Sequence, residues 1–341
     1  MRTVTFVGPR ELRFDEVDAP TIVDPTDALV RPVAATTCDL DQWTIQEKVP
    51  LSMMSPFRIG HECVARVVEV GAECALQVGD VVSVAWHIAC GTCERCKAGL
   101  PANCKNHSGS QYGLPIRGEW GSTFSELIRV PYASYNCLTL PATVDPIHLA
   151  SLSDNLALGW ETTIATCQKE GFTEPEIAVF GGTGSIGLYV AQVAAALAGG
   201  RVVFYDDDPV RMAVAESVGA EVRDINGPSE NHYDIAVDAT CDPEKLRKVL
   251  VSVRPEGWVN SVGIYFADVK VPMLSLYQRG VNFHNGKGQA RPCMGPIIDA
   301  VASGKIKPEL VTSGIYDWEQ IPEVLCGENP GHKPIFTLPD A

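Results

Sequence analysis

The chain has 341 residues, of which 45% are hydrophobic and 20% charged, and its formal net charge is −15. This composition is typical of a soluble globular protein with one large domain or two smaller ones. The acidic balance, without a long basic run, argues against nucleic acid or an anionic membrane as a partner. No apolar run approaches the ~18 residues that a membrane-spanning helix needs, and the first residues do not resemble a signal peptide. We therefore expect a cytoplasmic protein.

The first 150 residues or so consist of short apolar runs that are broken by glycine, proline and aspartate, such as "TVTFV", "CVARVVEVG" and "GDVVSVAW". This pattern predicts an irregular all-β barrel or sandwich. From about residue 155 onward, strand-like runs alternate with helical segments of ten or more residues, which predicts βαβ units and a parallel sheet. Beyond about residue 290 a helix is followed by "KPIFTLP", a strand that we expect to pack back on the first domain.

Four cysteines lie within fifteen residues, in "CGTCERCKAGLPANC". They are Cys90, Cys93, Cys96 and Cys104. Four thiolates on one short lobe can close the tetrahedral shell of a structural zinc, and an iron–sulfur cluster is the alternative. We do not expect the twelve cysteines to form a disulfide framework, because the start of the chain does not resemble an export signal and the cytosol keeps thiols reduced.

A glycine-rich loop follows the strand "EIAVF" and opens a long apolar helix. Its pattern, G-x-G-x-x-G in a strand–loop–helix context, is the dinucleotide fingerprint of a Rossmann domain, although a glycine-rich turn of another α/β fold would look similar. Asp206, about twenty residues further on, favours NAD over NADP, because a carboxylate accepts hydrogen bonds from a ribose hydroxyl and repels a 2′-phosphate. Asp207 and Asp208 are alternatives for that contact, whereas Arg211 is expected on the helix surface. The predicted coenzyme contacts are Gly182, Thr183, Gly184, Ser185, Ile186, Gly187 and Asp206.

Together with "RIGHECVARVVEVG", these features resemble the zinc-dependent medium-chain dehydrogenases, the alcohol dehydrogenase family, over almost the full chain. The resemblance implies an α/β protein with a GroES-like β-barrel catalytic domain, residues 1–154, that carries a structural zinc lobe at about 88–106. It further implies a Rossmann NAD-binding domain, residues 155–290, with a doubly wound parallel sheet, and a return segment, residues 291–341, that packs on the catalytic domain.

The resemblance also implies a catalytic zinc held by Cys38, His61 and Asp154, with Glu62 beside the metal as an occasional ligand. The cofactors would be NAD and two zinc ions per chain, one catalytic and one structural. A zinc with three protein ligands keeps one position open, where it acts as a Lewis acid on an alcohol or a carbonyl. The alternatives are a buried inert thiol for Cys38, a core histidine for His61 and a helix N-cap for Asp154.

This chain differs from the family at the positions that usually relay the proton of the bound alcohol to solvent. Leu40 stands where relatives usually carry the Ser or Thr of a proton relay, and Trp43 stands where some carry its terminal histidine. Leu158 replaces a Thr that often touches the nicotinamide, and Trp86 matches an aromatic residue of the substrate pocket, although it could be plain core. The remaining candidates for the proton route are Thr37, Asp39, Asp41, Asn155 and water.

These features favour a NAD-dependent, zinc-containing alcohol dehydrogenase or carbonyl reductase that acts on a small alcohol, aldehyde or ketone. One alternative is an aldehyde dismutase with tightly bound NAD, and another is a non-catalytic zinc- and nucleotide-binding protein of the same fold. Relatives of this kind are homodimers or homotetramers, and the strand after "SVGIYF" is the expected pairing edge.

Overall fold

The computed structural model describes residues 1–338, which fall into two compact units. The first unit consists of Met1–Ala157, Gln289–Ala302 and the described residues from Thr312 onward, and the second consists of Leu158–Gly288 and Ser303–Val311. Within residues 1–338, no helix combines the length and the apolar character that a membrane crossing would require.

Sixteen strands occur in the described residues: β1 Arg2–Gly8, β2 Glu11–Glu16, β3 Ala28–Thr36, β4 Phe57–Arg58, β5 Glu62–Val70, β6 Val81–Val84, β7 Ile128–Val130, β8 Cys137–Thr139, β9 Ile177–Phe180, β10 Val202–Asp206, β11 Glu221–Asp224, β12 Tyr233–Asp238, β13 Val253–Ser261, β14 Asn282–Asn285, β15 Gly314–Asp317 and β16 Pro334–Thr337.

The α-helices are α1 Asp39–Ile45, α2 Glu94–Lys97, α3 Ala133–Asn136, α4 Asn155–Gly159, α5 Ala165–Glu170, α6 Ile186–Leu197, α7 Pro209–Ser217, α8 Pro243–Leu250, α9 Met273–Arg279, α10 Ala290–Ala302 and α11 Ile321–Cys326. One turn of π-helix, Trp160–Ile164, joins α4 to α5. Short 3₁₀ segments cover Pro50–Met54, Pro101–Asn103, Ile147–Leu149, Pro308–Val311 and Trp318–Gln320.

The first unit is built on two sheets, in which the long strands β3 and β5 pair antiparallel at the centre of the larger one. The larger sheet has the order β15-β16-β3-β5-β6-β8, with β7 also paired to β3, and the smaller one has the order β2-β1-β4. Val30, Ala65 and Phe336 are among the fully buried residues of its core. The late strand β16 pairs antiparallel with β3, so that Ile335 lies opposite Thr36.

The second unit contains a six-stranded sheet of order β11-β10-β9-β12-β13-β14, in which every pair is parallel. All four residues of β9, "IAVF", are buried, as expected of a parallel strand that is covered on both faces. The strand order reverses between β9 and β12, which is the switch point of a doubly wound sheet. This topology confirms the predicted Rossmann architecture.

Candidate metal and coenzyme sites

Cys38 and His61 are brought together by the pairing of β3 with β5. Thr36, the last residue of β3, lies opposite Glu62, the first residue of β5, so that the residues just outside this pair are neighbours. Cys38 caps the N-terminus of α1, where its Sγ accepts the backbone N–H of Leu40 at 3.3 Å. Both Cys38 and His61 are buried.

Asp41 is buried beside both of these residues. Its Oδ2 accepts the backbone N–H of Cys38 at 3.1 Å and lies 3.5 Å from Nδ1 of His61. The donor atoms of Cys38, Asp41 and His61 all lie within 4.8 Å of one another. The ring nitrogen of a metal-binding histidine that does not face the metal usually donates to a carboxylate, a backbone carbonyl or a water, and Asp41 is placed for that role. The sequence suggested Asp41 only as a proton route, although its position three residues after Cys38 on a helix was the available signal.

Asp154 approaches the other side of the histidine ring. Its Oδ2 lies 3.4 Å from Nε2 of His61, although Asp154 stands outside the tight group of Cys38, Asp41 and His61. Donor atoms at 2.0–2.3 Å from a tetrahedral zinc lie ~3.3–3.7 Å from one another, so the separation of Nε2 and Oδ2 suits two ligands of one metal. A buried thiol, a buried imidazole and a half-buried carboxylate are donors that zinc accepts, and the residues therefore fit the metal.

The electrostatics of this cluster are those of ionisable groups held out of water. Burial raises the pKa of the Cys38 thiol to about 12, although His61 lowers it. Burial alone lowers the pKa of His61, but Asp41, Cys38 and Asp154 together raise that pKa well above its ordinary value. Because a thiolate and a neutral imidazole are the metal-binding forms, zinc binding here would release protons.

Glu62 forms a buried ion pair that the sequence did not predict. Its Oε2 lies 2.5 Å from Nζ of Lys333, and both side chains have no exposed surface. Its Oε1 accepts hydrogen bonds from Oγ of Ser151 and the backbone N–H of Asn155, both at 3.1 Å. Lys333 also donates to the backbone carbonyl of Thr37 at 2.7 Å. Burial raises the pKa of Glu62 to about 7, although Lys333 lowers it.

The four lobe cysteines converge on one point. Sγ of Cys93 lies 3.5 Å from that of Cys96 and 3.9 Å from that of Cys104, and Cys104 lies 3.6 Å from Cys90. None of the twelve cysteines, all of which lie within residues 1–338, forms a disulfide, so no such bond competes for these sulfurs. Four converging thiols fit a structural zinc.

The glycine loop follows β9 and is packed tightly against β10. Gly182 has φ +135°, a conformation that side chains rarely allow, and it makes the turn. A Cβ on Gly181 would lie 2.4 Å from Oδ2 of Asp206, and one on Gly187 would lie 3.3 Å from Cα of Gly181. The loop thus brings the start of α6 close to the end of the strand, as a dinucleotide-binding turn requires.

Asp206 ends β10 and is completely buried. Nε of Arg211 donates to its Oδ2 at 2.9 Å and Nη2 donates to its Oδ1 at 2.6 Å. The expectation that Arg211 is a surface residue is therefore wrong: only 16% of its side chain is exposed, because the carboxylate holds it against the strand end. The backbone N–H groups of Asp207 and Asp208 also donate to Oδ1, and Asp208 caps α7.

The residues predicted for the substrate pocket are distributed over both units. Leu40 is half-buried and packs on the core of the first unit, and Trp86 is buried there with its ring 5.2 Å from that of His87. Leu158 is buried in the second unit against Ile186 and Ala239. That they line one pocket remains a prediction.

A third group of possible donors, Glu176, Glu230 and His232, lies on the second unit. Arg201 and Arg223 form ion pairs with Glu230 of this group, with N–O distances of 2.9 Å and 2.5 Å. It is a network of ion pairs, and we assign no metal to it.

Known proteins of one family are similar to this chain. Residues 24–142 match the model of the alcohol dehydrogenase GroES-like domain. A zinc-type alcohol dehydrogenase-like protein of Schizosaccharomyces pombe is 26% identical over 95% of this chain and 86% of its own. A glutathione-independent formaldehyde dehydrogenase of Pseudomonas aeruginosa is 30% identical, over 69% of this chain and 61% of its own. Among solved structures, the alcohol dehydrogenase TADH from Thermus sp. ATN1 superposes with a TM-score of 0.89 at 28% identity, covering 99% of this chain and 100% of that one.

The GroES-like domain, the Rossmann sheet and the two relatives that match nearly the whole chain, the Schizosaccharomyces pombe protein and the Thermus enzyme, indicate the same family. The chain belongs to the zinc-dependent medium-chain alcohol dehydrogenase family.

Proposed function

We propose that this protein is a NAD(H)-linked, zinc-dependent oxidoreductase that transfers a hydride between a small alcohol and the corresponding aldehyde or ketone. The observation that carries the proposal is the cluster in which Cys38 and His61 are buried together and Oδ2 of the half-buried Asp154 approaches Nε2 of His61. When bound, zinc supplies Lewis acidity toward the substrate oxygen, and the nicotinamide coenzyme supplies the hydride acceptor or donor.

The roles that we propose for the chain's own residues follow from their contacts. Cys38, His61 and Asp154 hold the catalytic zinc, and Asp41 fixes the orientation of His61 through Nδ1. Glu62 stays beside the cluster and is held by Lys333. Leu40 cannot relay a proton, so proton release depends on another group or on water.

We propose NAD rather than NADP as the coenzyme. Support comes from Asp206 at the end of β10, whose carboxylate is held in place by Arg211. Asp207 and Asp208 add negative charge beside it, which disfavours a 2′-phosphate. The four-cysteine lobe would hold the second zinc ion of the chain, and the cytoplasmic location remains a prediction.

The test is replacement of the first zinc ligand. We expect C38A to lower the bound zinc from two ions per chain to one and to abolish turnover, as measured by metal analysis and by NADH absorbance with a panel of alcohols and aldehydes. C74A is the matched control, because Cys74 is a half-buried thiol of the same unit outside both donor clusters. Full activity of C38A would contradict the proposed mechanism.

Aldehyde dismutation is the second candidate. The match to a formaldehyde dehydrogenase, together with a carboxylate at position 154, favours it over other variants of the chemistry. A dismutase would keep NAD through gel filtration and convert two aldehydes and water into one alcohol and one acid without added coenzyme. Freely exchanging NAD would count against this candidate. Two bound zinc ions and NAD without any turnover would instead indicate the non-catalytic alternative.

A further inference from the structure

The π-helical turn in the second unit is stabilised by side chains. A π turn is rare, and it leaves backbone carbonyls without their usual α-helical partners. Here Oγ1 of Thr162 donates to the carbonyl of Leu158 at 2.7 Å, and Oγ1 of Thr163 donates to that of Gly159. Oγ1 of Thr166 donates to the carbonyl of Thr162 at 3.3 Å. The "WETTIAT" sequence thus supplies hydroxyls to the turn.

Asn260 connects this turn to the sheet. It is the penultimate residue of β13 and is buried, and its Nδ2 donates to the carbonyl of Thr162 at 2.7 Å and to Oγ1 of Thr166 at 3.0 Å. The Asn260 amide therefore holds the middle of the turn against the carboxyl end of β13. A side chain without a donor would remove the 2.7 Å hydrogen bond to the buried carbonyl of Thr162.

The register of the turn decides where Leu158 and Gly159 lie. An additional residue in a helical turn rotates the side chains that precede it by ~100° about the helix axis, relative to the side chains that follow it. Leu158 packs on Ile186, the first residue of α6, and a Cβ on Gly288 would lie 2.3 Å from its Cδ2. A Cβ on Gly159 would lie 2.8 Å from the carbonyl oxygen of Tyr189, again on α6. The segment before the turn is therefore closely fitted to the helix that follows the glycine loop.

The sheet order shows which half of the coenzyme meets this segment. Asp206 on β10 marks the adenosine side, and the switch point lies between β9 and β12. A dinucleotide that crosses the switch point places its nicotinamide half toward the ends of β12, β13 and β14. A pocket lies at the ends of β13 and β14, and its walls include Leu158, Thr162, Asn260 and Val262.

We propose that Asn260 is a positioning residue for the nicotinamide half of the coenzyme site. It holds the π turn and thereby places Leu158 at the wall of that half-site. The inference rests on the proposed function, because it needs the coenzyme to be a nicotinamide dinucleotide.

The test compares two ligands that share the adenosine half. NADH carries the nicotinamide, whereas ADP-ribose does not, and the affinities of both can be measured by calorimetry without any substrate. We expect N260A to raise the Kd for NADH about tenfold and to leave the Kd for ADP-ribose within about twofold. The two ligands should differ because only NADH contacts the half of the site that Leu158 lines. T166V, which removes one partner of Asn260, should raise the NADH Kd about threefold.

S252A is the matched control. Ser252 is fully buried, its hydroxyl donates to the carbonyl of Val249, and it directly precedes the first residue of β13. Its loss should change neither affinity. Unchanged NADH binding by N260A and T166V would overturn the inference, and so would equal weakening of both ligands. If N260A does not fold, T166V decides. If the unaltered protein binds neither ligand, the proposed function fails instead.

Discussion

The buried carboxylate of Asp206 accepts several hydrogen bonds. Arg211 and two backbone N–H groups already donate to it, so its position is fixed before a coenzyme arrives. A fixed acceptor loses little conformational freedom when a ribose hydroxyl binds. Its charge also acts on any phosphate placed nearby, and Arg211 offsets part of that charge.

The first prediction therefore concerns coenzyme choice. We expect D206A to raise the Kd for NADH about tenfold and to weaken the preference for NADH over NADPH, because Arg211 would lose its two hydrogen bonds to Asp206 and become available to a phosphate. Fluorescence titration with both coenzymes measures this. D224A is the control, since Asp224 ends the neighbouring strand β11. An unchanged NADH/NADPH ratio in D206A would show that Asp206 does not set the preference.

The second prediction concerns the buried Glu62–Lys333 pair. K333M leaves a buried carboxylate without its cation, which should lower the free energy of unfolding by about 3–5 kcal/mol. The double variant E62Q/K333M removes both charges and should recover most of that loss. Thermal melting of the zinc-free variants provides the comparison. Equal stabilities of the single and double variants would contradict a coupled pair.

At the scale of residues, the sequence allowed the roles of some site residues to be predicted, but not the contacts of Lys333 and Arg211. Cys38, His61 and Asp206 stand beside recognisable local patterns, and the structure places Cys38 and His61 together. Lys333 gives no local signal, because its partner Glu62 is 271 residues away. The surface position predicted for Arg211 is wrong because the sequence of α7 alone does not show that the side chain meets Asp206 at the end of β10.

At the scale of elements, the stability of the cysteine lobe depends more on metal binding by its four thiolates than on apolar packing. The buried members of its cluster are Ala89 and three of the four cysteines, with Tyr132 and Tyr135 packed against them. α2 spans only Glu94–Lys97 and is too short to be stable alone. A metal that joins the four thiolates would supply the stability that the apolar core does not.

The third prediction follows from this dependence. We expect C96S to lower the zinc content by about one ion per chain and to expose the lobe to trypsin, which can cleave after Arg95, Lys97 and Lys105. Metal analysis and timed proteolysis measure both effects, and C74S serves as the control. Retention of both zinc ions would argue against a site made of these four thiolates.

Regular elements were predictable because their periodicity is local. The parallel sheet follows from alternating apolar strands and helices, and the structure confirms it. The π turn was not predictable, because "LGWETTIATCQKE" has an ordinary helical pattern. Only the amide of Asn260, about a hundred residues later, reveals where the extra residue is held.

At the scale of the whole molecule, the parallel sheet has two open edges, β11 and β14, and the β14 edge has exposed apolar residues around it. Among residues 1–338, β14 pairs only with β13, and its residues are half-buried or exposed. Apolar side chains are exposed on and near it: Met273, Leu274, Tyr277 and Phe283. Open edges with apolar neighbours tend to associate, which agrees with the sequence prediction of a pairing edge after "SVGIYF".

The fourth prediction is that this surface, defined by Met273, Leu274, Tyr277 and Phe283, joins two copies of the chain. We expect L274D/Y277D to lower the molecular mass seen by sedimentation relative to the unaltered protein, because charge is costly in an apolar interface. V78D is the control, because Val78 is an exposed apolar residue of the first unit. A monomeric unaltered protein would remove the basis for this interface.

The contact between Glu62 and Lys333 also has a consequence for the order in which the protein is made. During translation, Glu62 and the carbonyl of Thr37 emerge long before the lysine that binds both. A nascent chain can form β3 and β5 early, but it holds an unbalanced acid in that sheet until β16 is synthesised. We therefore expect the barrel to reach its final stability only in the last stage of synthesis, and chains that stop before Lys333 to be substrates for cellular quality control.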